Sequence, residues 1–190
     1  MRVVALAVFL IVLAVGCLAE SGGKPTSVAS QETTNRATPG RSLPAVLASV
    51  LPEIKAKSPV PVLLPSELPD PIGKAKHAIV GASADGYGIT LYYELDIGDA
   101  GFAASCSAQS KPGYHPWELG NVREVKLPHG IRGFFRPVSC GGSCAPVNLW
   151  WEEGDVLYQI QLDMSPTVSE QDQEKSITAV ADSAILAGPR

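Results

Sequence analysis

The side chains best able to do chemistry in this chain are four cysteines, three histidines and a pair of adjacent tryptophans. Two of the cysteines stand in the string SCGGSCAP, as Cys140 and Cys144, with Gly141, Gly142 and Ser143 between them. The glycines let so short a loop turn, which makes a local disulfide the expected pairing. By chain entropy it contributes about 2 kcal/mol, against about 4 for a loop closed to Cys106. Pairing of Cys106 with either of them, and three reduced thiols, remain as alternatives. Two thiolates with a histidine such as His129 would also suit Cu(I) or zinc, so metal handling is one function class to test. Structural bridging is the default, and no cofactor is expected.

Trp150 and Trp151 are successive on a strand and must point to opposite faces. If one is core, the other is available on the outer face. With Tyr114 and Trp117 of the loop KPGYHPW, Trp150 makes a candidate ligand-binding platform of the kind that stacks on sugar rings or on a partner's apolar patch. The competing expectation is that a helix, strap or loop covers the second face and buries both indoles.

Catalysis has less to recommend it. A nucleophile needs an oriented base beside it, and no G-x-S-x-G or H-E-x-x-H string occurs. His77, His115 and His129 fall at strand starts, loops or turns. Glu152 and Glu153 are adjacent, which does not make a glycosidase pair. No catalytic residue is assigned, and the expectation is a protein that is not an enzyme.

The elements that would position these residues follow from periodicity. Leu43, Val46, Leu47, Val50, Leu51 and Ile54 share one helical face, with Ser42 as a cap, Pro44 in the first turn and Pro52 kinking or closing the helix at about the preceding turn. SPVPVLLPSELPDP, with five prolines, predicts a rigid strap that lays Val60, Val62 and Leu64 over the core. Period-two alternation then marks HAIVGAS, YGITLYYELD (Tyr87, Ile89, Leu91, Tyr93 and Leu95 on one face), FAASCSA (Phe102, Ala104, Cys106), VREVKL, IRGFFRPV, VNLWWEE and VLYQIQLD. LPHGI and EEGDV are the hairpin candidates. A final helix has Ser169 as cap, a stripe of Ile177, Val180, Ala181, Ala184 and Ile185, and Gly188 as stop. The sum is an α+β single domain over residues 43–190: a twisted antiparallel meander of six or seven strands with an N-terminal and a C-terminal helix packed on it.

The start of the chain is of another kind. Thirteen apolar residues run from Val3 to Val15 behind Arg2, too few to span a bilayer core that needs roughly 20 but apt for a secretory signal. Ala14-Val15-Gly16-Cys17 resembles the lipobox of bacterial lipoproteins, with alanine where leucine is usual. That resemblance implies a signal peptide over residues 1–16, removed on export, and acyl chains such as palmitate on Cys17, the lipidation site. An ordinary signal peptide, or an uncleaved signal anchor, is the alternative. Residues 17–42 contain no aromatic residue and few apolar ones, so they read as a tether holding the domain roughly 25–30 Å from the lipid. Attachment would be extracytoplasmic, at the outer membrane or the outer face of the cytoplasmic membrane; Leu18 is not the aspartate that retains some lipoproteins at the inner membrane.

A second resemblance covers Val125 to Gly188. The strand VKLPHGIRGFF, the loop CGGSCAP, the hairpin LWWEEGDVLYQIQL and the closing AVADSAILAG are similar to uncharacterised bacterial secreted and lipoprotein domains with a G-x-F strand, a cysteine loop, a W-x-x-G-x-x-Y hairpin and a final SAI helix. Three residues, not two, separate Gly154 from Tyr158 here. The resemblance implies fold and address, and no chemistry. Composition agrees: 15 basic against 19 acidic residues give a net charge of −4, one unit more negative without Arg2, and no basic cluster points to nucleic acid. The expected partners are a lipid bilayer, through Cys17, and an envelope protein or glycan. The expected role is binding or structural association in the cell envelope, with glycan binding and Cys/His metal handling as alternatives.

Overall fold

The computed structural model describes residues 42–94, 100–113 and 115–190. The expected signal peptide, Cys17, the tether up to residue 41, Leu95 and Tyr114 lie outside the described residues. Helix α1 spans Ala45–Lys57 and buries Leu47 and Ile54, with Leu43, Val46, Val50 and Leu51 packed partly against the same core. Its start differs from expectation: Pro44 occupies the cap position, without any side-chain cap, and its carbonyl accepts from the N–H groups of Leu47 and Ala48 at 2.9 Å. Of a kink or a closure at Pro52, closure does not occur: the helix runs through the proline to Lys57. Pro52 and Ala48 are both exposed, so the carbonyl that loses its helical partner faces water, and the cost is moderated.

Beyond α1 the proline-rich strap buries Val60, Val62, Leu63 and Leu64. Strap backbone cannot stay unpaired in a core, and two sheet tyrosines answer it. The Tyr87 hydroxyl accepts from the Leu63 N–H at 3.0 Å and donates to the Leu63 carbonyl at 3.1 Å; Tyr158 donates to the Pro61 carbonyl at 3.1 Å.

The strands are β1 (His77–Ser83), β2 (Gly86–Glu94), β3 (Ala100–Ser110), β4 (Arg123–Lys126), β5 (Arg132–Arg136), β6 (Ser139–Cys140), β7 (Cys144–Ala145), β8 (Val147–Glu153) and β9 (Val156–Leu162). Seven form one antiparallel sheet in the order β1-β2-β3-β9-β8-β5-β4, and β6 and β7 form a separate two-residue ladder. The sheet is therefore not one meander but two runs of adjacent strands, joined where β3 pairs with β9. Alternation tells which face a residue takes, not which strand lies beside it. Both predicted hairpins form, PHG turning β4 into β5 and Gly154-Asp155 turning β8 into β9. Gly86 opens β2 against β3 so closely that a Cβ there would lie 2.1 Å from the Ala108 carbonyl oxygen.

A register shift between Leu91 and Tyr92 alters one expectation: Ala103 is fully buried and Phe102 only partly. The extra residue of a bulge turns the alternation over. Helix α2 (Glu170–Ala187) is capped by Ser169, whose hydroxyl accepts from the Asp172 N–H at 3.2 Å, and ends at Gly188 with φ +71°. Its Ile177, Val180, Ala181, Ala184 and Ile185 join Leu47 and Ile54 of α1 in the core that also holds Ile89, Leu91, Cys106, Leu149, Trp151 and Ile160. Both helices thus cover one face of the sheet, and the alternate residues of each strand line the other.

Candidate functional site

The face without helices is ordered by register. One row across the sheet runs Gly81, Gly88, Ser107, Gln159, Trp150, Phe134, from β1 to β5. The next holds Ile79, Thr90, Ser105, Gln161, Asn148 and Arg136. In the middle, Asn148 is fully buried, and its Oδ1 accepts from Gln159 Nε2 at 2.7 Å and from Gln161 Nε2 at 2.8 Å. Its own Nδ2 donates to the Pro146 carbonyl at 2.8 Å, and Gln161 Oε1 accepts from the Ser105 hydroxyl at 2.8 Å. These amides hold one another in fixed rotamers while both glutamines stay half-exposed. Toward β1 the row loses its side chains. A shallow cleft of about 390 Å³ opens there, with Gly81, Ser83, Asp85, Ser107 and Gln109 in its lining.

The aromatic end is closed. Trp117 stacks on Phe134 at 4.1 Å and 19°, and His115 stacks on Trp117 at 4.8 Å. His115 Nδ1 also lies 3.1 Å from Glu152 Oε1. The Arg132 and Arg136 guanidiniums sit over Phe134 and Trp150, 5.7 and 5.0 Å from the ring centroids. Trp150 is only 4% exposed and Trp151 1%, the latter with Nε1 donating to Glu153 Oε1 at 3.0 Å. The open aromatic platform expected of Trp150 is thus not formed: the loop between β3 and β4 folds back over the outer face. Trp117 is half-buried in that loop, and Tyr114 lies outside the described residues.

The amide row is signalled in the sequence by turn length, not by residue type. A two-residue turn at Gly154-Asp155 sets Glu153 opposite Val156, and counting back puts Trp150 opposite Gln159 and Asn148 opposite Gln161.

Cys140 and Cys144 are joined, with their sulfurs 2.09 Å apart, in an exposed hairpin. Cys106 is free and buried in the core, and burial pushes its thiol up to about 12. Among the described residues no three His, Cys, Asp or Glu side chains converge as a metal site would need. A larger cleft of about 660 Å³ lies beside β4 and β5, lined by Arg123, Phe135, Arg136, Ser139 and Glu170 among others. Its Arg123 is engaged with Glu174 of α2, and Arg136 lies over Trp150 with its Nε buried and short of a hydrogen-bond partner. For a neutral ligand the amide row is the better-built surface. No helix among the described residues is long and apolar enough to cross a membrane. Compared with known proteins, the chain matches no family model, no curated protein and no solved structure.

Proposed function

We propose that this chain is a lipid-anchored protein of the bacterial envelope, attached through Cys17, whose folded domain binds a neutral, hydroxyl- or amide-rich ligand on the helix-free face of its sheet. Glycan of the cell envelope is the ligand class of this kind, and the domain acts on it by binding, without a chemical step. The observation that carries the reading is the Asn148-centred row: Ser105, Gln159 and Gln161 are uncharged, partly exposed and pre-set by hydrogen bonds. Pre-set polar groups lose little entropy on binding. A charged ligand would find no counter-charge among them.

Two measurements test it. Titration with soluble cell-wall fragments should change tryptophan fluorescence, because Trp150 adjoins Gln159 in the row, and Gln159→Ala should weaken the apparent affinity by roughly tenfold. A flat titration with every fragment class would sink the ligand assignment. For the anchor, Cys17→Ser should move the protein from the detergent phase to the aqueous phase on phase separation, and an unchanged partition would refute lipidation.

A further inference from the structure

Two arginines at the β4–β5 end of the sheet have acidic partners, Arg123 with Glu174 and Arg132 with Glu124. Arg136, half-buried on β5, pairs with no carboxylate among the described residues. Its guanidinium lies over the Trp150 ring, 5.0 Å from the centroid, and its Nε–H is buried without a hydrogen-bond partner. Stacking therefore holds the group in place and leaves its charge unanswered. A cation partly withdrawn from water without a counter-charge is costly. This arginine lines the cleft of about 660 Å³ beside β4 and β5, a volume that suits a small molecule. The walls of the cleft are tied to α2. Val138, in the lining, donates its N–H at 2.9 Å to Oε1 of Gln173, which is itself buried and donates through Nε2 to the Val168 carbonyl at 2.8 Å. Arg123 adds a second tie through Glu174, and the Cys140–Cys144 bridge closes the hairpin that contributes Ser139 and Ala145. Opposite in sign to Arg136 is Glu170, in the first turn of α2: it is exposed, stands in the same lining and pairs with no cation among the described residues.

We propose that this cleft binds a small zwitterion, a free amino acid or a short peptide, with its carboxylate on the Arg136 fork and its ammonium at Glu170. Three features select this class. The planar fork of an arginine matches the two oxygens of a carboxylate, and stacking on an indole fixes the plane of that fork before the ligand arrives. A simple anion would be repelled by Glu170 and a simple cation by Arg136, whereas a ligand carrying both signs is attracted by each. The ties of the cleft to α2 hold the strand that carries Arg136 and the helix that carries Glu170 in fixed relation, so binding costs little ordering. Val122, Phe135 and Val138 supply apolar wall for the rest of the ligand. The proposal does not rest on glycan binding at the amide row, since its ligand is of another class and is titrated separately.

The test is isothermal titration calorimetry of the full chain in mild detergent with alanine, dialanine and trialanine, whose methyl groups the apolar wall accepts. At least one should bind saturably. For that ligand, amidation of the carboxylate should weaken binding by at least roughly tenfold. Acetylation of the amine should weaken it by roughly threefold, less because Glu170 is exposed. Arg136→Lys keeps the charge but not the fork; it should weaken the unmodified ligand by roughly tenfold and leave the amidated one unchanged. Glu170→Gln should weaken the unmodified ligand by roughly threefold and leave the acetylated one unchanged. Changes made on the ligand keep the test decisive even where a variant fails to fold. Absence of binding by all three probes, an amidated or acetylated ligand that binds as tightly as the free one, or undiminished binding by folded Arg136→Lys would overturn the proposal.

Discussion

Asn148 carries more than its size suggests. Its side chain accepts two hydrogen bonds from glutamines on the neighbouring strand and is wholly buried. Asn148→Ala would leave those donors and the Pro146 carbonyl short of partners, and stability should fall by about 1–3 kcal/mol, seen as a lower urea midpoint at an unchanged slope. Cys106 and Tyr158 give a second expectation at this scale. Burial holds the Cys106 thiol up to about 12 from its ordinary 9.0, and the Tyr158 phenol, through burial and then Glu153, up to about 12 from 10.0. The native state keeps protons that the unfolded chain releases, so stability should be intact below about pH 9 and decline between there and about pH 12. Cys106→Ala should flatten the first part of that decline in urea titrations at about pH 8 and about pH 10.5. Neither role is visible from residue type alone. A cysteine in a period-two run reads as core, which Cys106 is, but the meaning of Asn148 depends on which residues face it.

Among the elements, α1 shows how local signals compete. The apolar stripe from Leu43 to Ile54 is legible, yet Pro52 reads as a kink or a stop, and the helix continues to Lys57. Burial of Ile54 after the proline, and solvent around Ala48 before it, decide the outcome. Pro52→Ala should therefore stabilise the protein by about 1 kcal/mol or more, measured as a rise in melting temperature; a fall would mean that the proline bend is needed to seat Ile54. The strap is the opposite case. Its prolines exclude helix and sheet, and its aliphatic residues predict burial, both of which hold. What the sequence does not disclose is how the strap's backbone is satisfied, because Tyr87 and Tyr158 reach it from strands far along the chain. Tyr87→Phe should leave a buried N–H and carbonyl of Leu63 unpaired and cost about 1–3 kcal/mol, with faster hydrogen exchange at that amide.

At the scale of the molecule, α1, the strap, the sheet and α2 contribute to one apolar cluster, so thermal unfolding of the domain should be a single transition with matching calorimetric and van't Hoff enthalpies. Class and strand number were readable from periodicity; strand order was not, because the joining of β3 to β9 rests on which faces fit in three dimensions. That seam sets Ala104 against Leu162 and Ser110 against Val156. The centre of the sheet therefore cannot close until β9, near the end of the described chain, has been made, and such distant pairing is slow. Under the export proposed above, this delay would serve translocation, because a chain whose sheet still lacks its middle partner stays threadable. Nascent chains arrested ahead of residue 156 should accordingly remain protease-sensitive through β1, β2 and β3.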